Sequence, residues 1–177
     1  MEDEINSMSQ NGVWILVDKP SDYKPIGCKW IFTNDEGKTE RYKARLVVKG
    51  YNQKEGVDYN ETFSPVSTKD SFRIIMALVA HFNIELHQMD IKTTFLNGDL
   101  HKEIYMLQPD GFTENGNKVC KLKKSICGLK QASRQWYLKF DKVISKFGFS
   151  ENKLDECIYV KTCGSNFILL LLYVDDI

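Results

Sequence analysis

The stretch Phe167-Ile-Leu-Leu-Leu-Leu-Tyr-Val-Asp-Asp-Ile177 decides how the rest of the chain is read. Phe167 to Val174 is the longest apolar run. It falls well short of the roughly 20 residues a membrane helix needs and has the length of a buried strand. Two carboxylates then follow directly, Asp175 and Asp176. Like charges about 4 Å apart repel by about 1 kcal/mol in water and about 4 kcal/mol at an effective dielectric of 20. A third carboxylate, Asp90, also follows a short apolar segment, Ile84 to Met89. Three carboxylates gathered at strand ends raise one another's pKa unless a cation neutralises them. Hard oxygen ligands with open positions suit Mg²⁺. Such a site can hold two ions about 3.5–4 Å apart and clamp the attacking and leaving oxygens of a phosphoryl transfer. An isolated Asp-Asp after a strand is, however, most often a turn, and sequence alone does not bring Asp90 to Asp175.

Upstream, strands and helices mix without strict alternation, which favours an α+β fold over a parallel α/β sheet. Trp14 to Val17 reads as a strand, followed by turn signals at Asp18-Lys-Pro20 and Lys24-Pro25. Cys28 to Thr33 and Arg41 to Lys49 read as two strands joined by a hairpin turn at Asn34-Asp-Glu-Gly37. Lys43 and Arg45, two apart in the second strand, share one face. Phe72, Ile75, Met76, Val79 and Ala80 keep helical spacing behind Ser67 and Thr68 as candidate caps. Asn97-Gly98 is a turn, and Ile104 to Met106 is strand-like. A second helix is expected from about Gln131 to Phe147, with Gly148 placed to end it. Glu156 to Lys161 and Phe167 to Val174 read as strands joined by a turn at 163–166.

The 177 residues carry no net charge, but the distribution is uneven. Between Lys118 and Lys146 one acid, Asp141, stands among nine bases. A second basic group holds Arg41, Lys43, Arg45, Lys49 and Lys54. A local excess of this kind can hold a phosphate backbone, although a solvated helix face explains the later group equally well. The five cysteines lack zinc-site spacing and read as reduced thiols. No secretory signal is visible at the N-terminus.

A set of motifs resembles the reverse transcriptase domain of copia-type retrotransposon Pol polyproteins, over nearly the whole chain. They are Gly27-Cys-Lys-Trp-Ile-Phe32, Glu40-Arg-Tyr-Lys-Ala-Arg-Leu-Val-Val-Lys-Gly50, Tyr59-Asn-Glu-Thr-Phe-Ser-Pro-Val66, Gln88-Met-Asp-Ile-Lys-Thr-Thr-Phe-Leu-Asn-Gly-Asp-Leu100, Glu103-Ile-Tyr-Met-Leu-Gln-Pro-Asp-Gly-Phe112, Val119-Cys-Lys-Leu-Lys-Lys124, Gly128-Leu-Lys-Gln131, Arg134-Gln-Trp-Tyr137 and Tyr173-Val-Asp-Asp-Ile177. The resemblance implies a right-hand polymerase with a ferredoxin-like palm core. Fingers would comprise 1–83 and 113–132, and palm 84–112 and 133–177. It implies two-metal transfer of a nucleotide from a dNTP to a primer 3′-hydroxyl, on an RNA or DNA template. Asp90 and Asp175 would hold two Mg²⁺ ions (Mn²⁺ as substitute), with Asp176 completing the group and the carbonyl of Ile91 facing a metal.

By the same resemblance Lys43, Arg45, Phe95, Gly128 and Gln131 would face the nucleotide. Phe95 would be a steric gate against a 2′-hydroxyl, with ordinary core packing as its rival reading. Lys130, Arg134 and Tyr173 would face template and primer. The expected partners are the remaining Pol segments (thumb, RNase H, integrase), with no membrane. The expected location is the cytoplasm, in a virus-like particle, or the nucleus. Cys127 stands where the family usually has tyrosine, Ser133 where proline is usual, and the turn after Phe32 is short. The chain is expected to stop before the rest of the palm and the thumb. That would leave Phe167–Val174 without its returning strand and the isolated chain inactive. A non-catalytic nucleic-acid-binding remnant and another two-metal enzyme, such as a nuclease, remain alternatives.

Overall fold

The computed structural model describes residues 1–35, 41–114, 116–174 and 176–177, with Asn34, Asp35 and Arg41 described by backbone alone. The fold is mixed, with three helices and small antiparallel sheets, compatible with the α+β expectation. It divides into two compact units, Met1–Thr62 with Phe95–Trp136, and Phe63–Thr94 with Tyr137–Ile177.

In the first unit α1 (Glu2–Gln10) precedes β1 (Trp14–Asp18), β2 (Cys28–Asp35) and β3 (Arg41–Val48), with β4 (Tyr105–Met106) and β5 (Lys118–Leu122) following later. The strands form a sheet in the order β1-β5-β4 and a separate β2–β3 hairpin. Much of the turn expected at Asn34–Gly37 lies outside the described residues. In the hairpin Thr33 faces Lys43 and Ile31 faces Arg45. Lys43 and Arg45 are exposed while Leu46 and Val48 are buried, the period-two alternation of a half-buried strand. Ile26 joins hairpin to sheet: its N–H donates to the Tyr105 carbonyl (2.8 Å) and its carbonyl accepts from Leu107 (2.9 Å). Leu46, Val48, Ile104, Met106 and Ile126 are among the core residues beneath. Helix α1 carries three acids in its first turn, Glu2, Asp3 and Glu4. It buries Met8 in this core, and its Glu4 carboxylate accepts from the Leu46 N–H at 3.4 Å.

In the second unit α2 (Lys69–Phe82) lies in the same segment of chain as the loop that leads to Asp90. The unit also holds the strands β6 (Ser150–Glu151), β7 (Ile158–Cys163) and β8 (Asn166–Leu171), paired in that order. Helix α3 (Ala132–Lys146) runs from the first unit's segment into the second's. Within the second unit its Phe140 stacks edge-on against Tyr159 of β7, with centroids 5.6 Å apart. The Tyr137 hydroxyl donates to Glu151 at 2.5 Å. Thr68 caps α2 by accepting from the Ser71 N–H. Helix α3 stops at Lys146, and Gly148 follows at φ 83°, a left-handed conformation that glycine adopts without a Cβ penalty.

Asp155 ties α2 to β7. One carboxylate oxygen accepts from the Ser67 hydroxyl (3.1 Å) and the Thr68 N–H (3.3 Å), the other from the Cys157 N–H (3.0 Å). Partial burial opposes ionisation of this carboxyl, but hydrogen bonds from Ser71, Cys157, Thr68 and Ser67 outweigh it and hold the pKa below the ordinary value. A depressed pKa contributes stability above the unfolded carboxyl's pKa, about 3.9, and that contribution is lost as pH falls through the folded value. Asp155→Ala, which orphans these donors, is expected to cost about 2 kcal/mol in chemical unfolding at pH 7. Below about pH 3 the difference from wild type should shrink. An undiminished difference at that pH would contradict the charge-assisted role.

Candidate active site

The second unit brings two of the three expected carboxylates together. Beyond β8 the Tyr173 N–H donates to the Asp176 carbonyl (2.8 Å) and the Asp176 N–H to the Tyr173 carbonyl (3.1 Å). These bonds close a two-residue hairpin turn. The chain then runs alongside the segment ending in Asp90. The Met89 N–H donates to the Ile177 carbonyl (2.8 Å) and the Ile177 N–H to the Met89 carbonyl (2.9 Å). Asp90 and Asp176 are consequently bridge partners. Met89 and Ile177 exchange both hydrogen bonds, so Asp90 and Asp176 form the adjoining pair that lacks them. In such pairs the Cα atoms stand about 4.5 Å apart and the side chains are closest. Asp175 lies outside the described residues.

Two β-branched residues hold this arrangement in unusual backbone. Thr93 has φ 54° and Val174 φ 61°. The left-handed region costs a residue with a Cβ about 1–2 kcal/mol, and β-branching makes it rarer still. At Val174 the tight hairpin turn imposes the positive φ. At Thr93 it re-aims the chain three residues after Asp90. The next residue, Thr94, is buried, and its hydroxyl donates to the Ile91 carbonyl at 2.7 Å. That carbonyl keeps a second lone pair. Gln88 donates to the Asp176 carboxylate at 3.4 Å. Asp90 and Tyr173 are exposed and Asp176 half-buried.

Two facing carboxylates with a neighbouring backbone carbonyl make a donor set of hard oxygens, and that chemistry fits Mg²⁺ or Mn²⁺. Among the described residues no cluster of three or more His, Cys, Asp or Glu is placed to bind a metal.

The first unit carries the remaining expected contacts. Phe95 is half-buried and packs against the unit's apolar core. Gly128 and Lys130 are exposed while Leu129 and Gln131 are buried, so the loop presents alternate residues. The Lys130 ammonium donates to the Tyr59 hydroxyl (2.9 Å) and sits 4.6 Å from that ring's centroid. Arg134 pairs with Glu61. Lys121 pairs with Glu103 and Lys124 with Asp99, so much of the basic cluster is matched by acids from other parts of the sequence. Lys43 and Arg45 stay side by side on the exposed face of β3. Gln53 and Asp58, both buried, lie outside every motif named above. Their signal was a polar run, Gln53-Lys-Glu-Gly-Val-Asp58, between an apolar strand and a recognised motif.

A model of the family described as reverse transcriptase (RNA-dependent DNA polymerase) matches residues 11–177, which leaves out α1. The chain is 50% identical over 182 residues to the Retrovirus-related Pol polyprotein from transposon TNT 1-94 of Nicotiana tabacum, covering 99% of this chain and 14% of that protein. It is 43% identical over 183 residues to the corresponding polyprotein from transposon RE1 of Arabidopsis thaliana, covering 100% of this chain and 12% of that protein. The Truncated transposon Ty1-A Gag-Pol polyprotein of Saccharomyces cerevisiae is 27% identical over 180 residues. The chain thus spans about one-seventh of the length of these curated relatives. No solved structure matches it. With its motifs in order, its paired carboxylates and these relatives, the chain belongs to the reverse transcriptase (RNA-dependent DNA polymerase) family, as the domain found in copia-type retrotransposon Pol polyproteins.

Proposed function

We propose that the chain supplies the nucleotidyl-transfer centre of an RNA-directed DNA polymerase, joining the α-phosphate of a deoxynucleotide to a primer 3′-hydroxyl on an RNA or DNA template. The observation that carries this reading is the bridge between Asp90 and Asp176, residues 86 apart in sequence (176 − 90) that lie opposite one another. Facing carboxylates are a costly placement, and a divalent cation accounts for it. Asp90, Asp175, Asp176 and the Ile91 carbonyl would hold Mg²⁺ or Mn²⁺. When bound, the ions supply charge stabilisation for the attacking and leaving oxygens.

The chain's own side chains would bind and orient. Lys43 and Arg45, fixed side by side by β3, neutralise the triphosphate. Phe95, held by core packing, excludes a 2′-hydroxyl from the sugar position. Gly128 and Gln131 belong to the loop that faces the nascent base pair. Tyr173 packs against the primer end, and Lys130 and Arg134 meet the template backbone. In this reading 1–83 and 113–132 are fingers, and 84–112 and 133–177 are palm.

Primer extension on a recessed primer–template with each divalent cation, by the chain joined to the remaining Pol segments, tests the proposal. The joined protein is expected to add deoxynucleotides in preference to ribonucleotides when a cation is present, whereas the isolated chain is expected to extend the primer poorly or not at all. Salt-dependent binding of the primer–template without any extension would instead favour a non-catalytic nucleic-acid-binding module. Cleavage of the nucleic acid would favour a nuclease.

A further inference from the structure

Gln53 has no role in the proposed chemistry, yet it is 5% exposed and its side-chain amide is engaged on both sides. Its oxygen accepts from the Lys130 N–H at 2.8 Å, and its nitrogen donates to the side-chain oxygen of Gln131 at 3.0 Å. Gln131, itself 4% exposed, donates onward to the Asp58 carbonyl at 3.0 Å. Asp58 is buried in turn, and its carboxylate accepts from the Tyr23 hydroxyl and from the Lys54 N–H. Hydrogen-bonded polar chains of this kind are costly to leave half-made in a low dielectric.

The order of donors and acceptors is forced. The Lys130 N–H can only donate, so the Gln53 oxygen must face it. The Gln53 nitrogen is then left to face Gln131, which fixes the Gln131 amide with its nitrogen toward the Asp58 carbonyl, a group that can only accept. One primary amide thereby sets the backbone at residue 130 and the side-chain orientation at residue 131. The same turn brings Gly50 against Gly128, where a Cβ on Gly50 would come within 1.9 Å of the Gly128 carbonyl.

We infer that Gln53 is a positioning residue for nucleotide binding, an amide latch that fixes the backbone of the loop Gly128–Gln131 and so holds Gly128 toward the nascent base pair. The inference rests on the polymerase reading above, in which that loop faces the nucleotide. Gln53 touches no substrate, and its effect passes through Lys130 and Gln131.

Two variants separate the two arms of the latch. Gln53→Met keeps length and burial and loses both hydrogen bonds. Gln53→Glu keeps the acceptor for the Lys130 N–H but sets an oxygen against the Gln131 oxygen. Two quantities are read on the chain joined to the remaining Pol segments: hydrogen exchange at the Lys130 amide, and binding of the next complementary dNTP to a complex with a dideoxy-terminated primer–template. In Gln53→Met the Lys130 amide should exchange at least about tenfold faster. dNTP affinity should fall about tenfold, with primer–template affinity in the absence of dNTP changed less than about twofold. Gln53→Glu should keep Lys130 protected and still lose dNTP affinity through misoriented Gln131, and it carries the test if the methionine variant fails to fold. Unchanged exchange in Gln53→Met would show that the latch is absent. Faster exchange with unchanged dNTP affinity would overturn the positioning role. A wild-type chain that binds neither primer–template nor dNTP removes the polymerase reading, and the positioning role with it, while the exchange arm still reports on the latch.

Discussion

In the chain joined to the remaining Pol segments, Asp90→Asn is expected to reduce single-nucleotide incorporation at least about 10³-fold, a loss of about 4 kcal/mol of transition-state stabilisation, with the fold intact. The bridge that places Asp90 is made by backbone groups of Met89 and Ile177, so an asparagine side chain leaves it undisturbed. Asparagine removes one of two facing negative charges, so thermal stability should stay level or rise slightly: exposed like charges about 4–5 Å apart repel by about 1 kcal/mol. Opposite responses of activity and stability are what distinguish a ligand from a structural carboxylate. Asp176→Asn should lose less activity, because its side chain is partly engaged by Gln88 and its proposed role is less direct. The measurements are incorporation rate and unfolding midpoint on the same preparations. Incorporation within about tenfold of wild type in Asp90→Asn would remove this carboxylate from the chemistry.

The elements that sequence made legible are those whose period is set by their own residues. In β3 the alternation of Lys43 and Arg45 with Leu46 and Val48 gave the strand and its faces, and the structure keeps both. Helices α2 and α3 were legible from spacing, yet spacing does not report what covers a face. In α3 Trp136 and Phe140 are buried, whereas Val143 on the same helical spacing, and Phe147 just past the helix, are 43% and 64% exposed. In α2 no residue is fully buried. Helix α1 was missed because its only apolar pair a turn apart is Ile5 and Met8, too little periodicity to stand out from an acidic tail. Strand β5 was hidden by its lysines, although Val119, Cys120 and Leu122 are all buried.

The site was legible as motifs and illegible as geometry. Asp175 and Asp176 follow an apolar run, but β8 ends at Leu171, three residues before that run does. Pairing of Met89 with Ile177 depends on backbone hydrogen bonds that no residue type announces. The ion pairs of Arg134 with Glu61 and of Lys121 with Glu103 join acids and bases distant in sequence, so a charge count over residues 118–146 overstated the field left for phosphate.

Gly128→Ala should unfold the first unit or cost more than about 4 kcal/mol, a larger loss than truncating most core side chains. Gly128 has φ 94°, and an added Cβ would stand 2.2 Å from the Val48 carbonyl oxygen and 2.7 Å from Cγ1 of Val47. Both the dihedral and the space forbid it, and the obstacle on one side is strand backbone. The Val48 N–H also donates to the Cys127 carbonyl at 2.9 Å, so the loop and β3 cannot separate without breaking a buried hydrogen bond. Gly50→Ala should be comparably severe for space alone, since its Cβ would meet the Gly128 carbonyl at 1.9 Å. Gly56→Ala has no neighbour within 4 Å at φ 78° and should cost only about 1–2 kcal/mol from its left-handed backbone. Chemical unfolding of the three variants orders these effects. A Gly128→Ala midpoint close to that of Gly56→Ala would mean that the loop does not lie on β3, and the amide latch at Gln53 would fall with that packing.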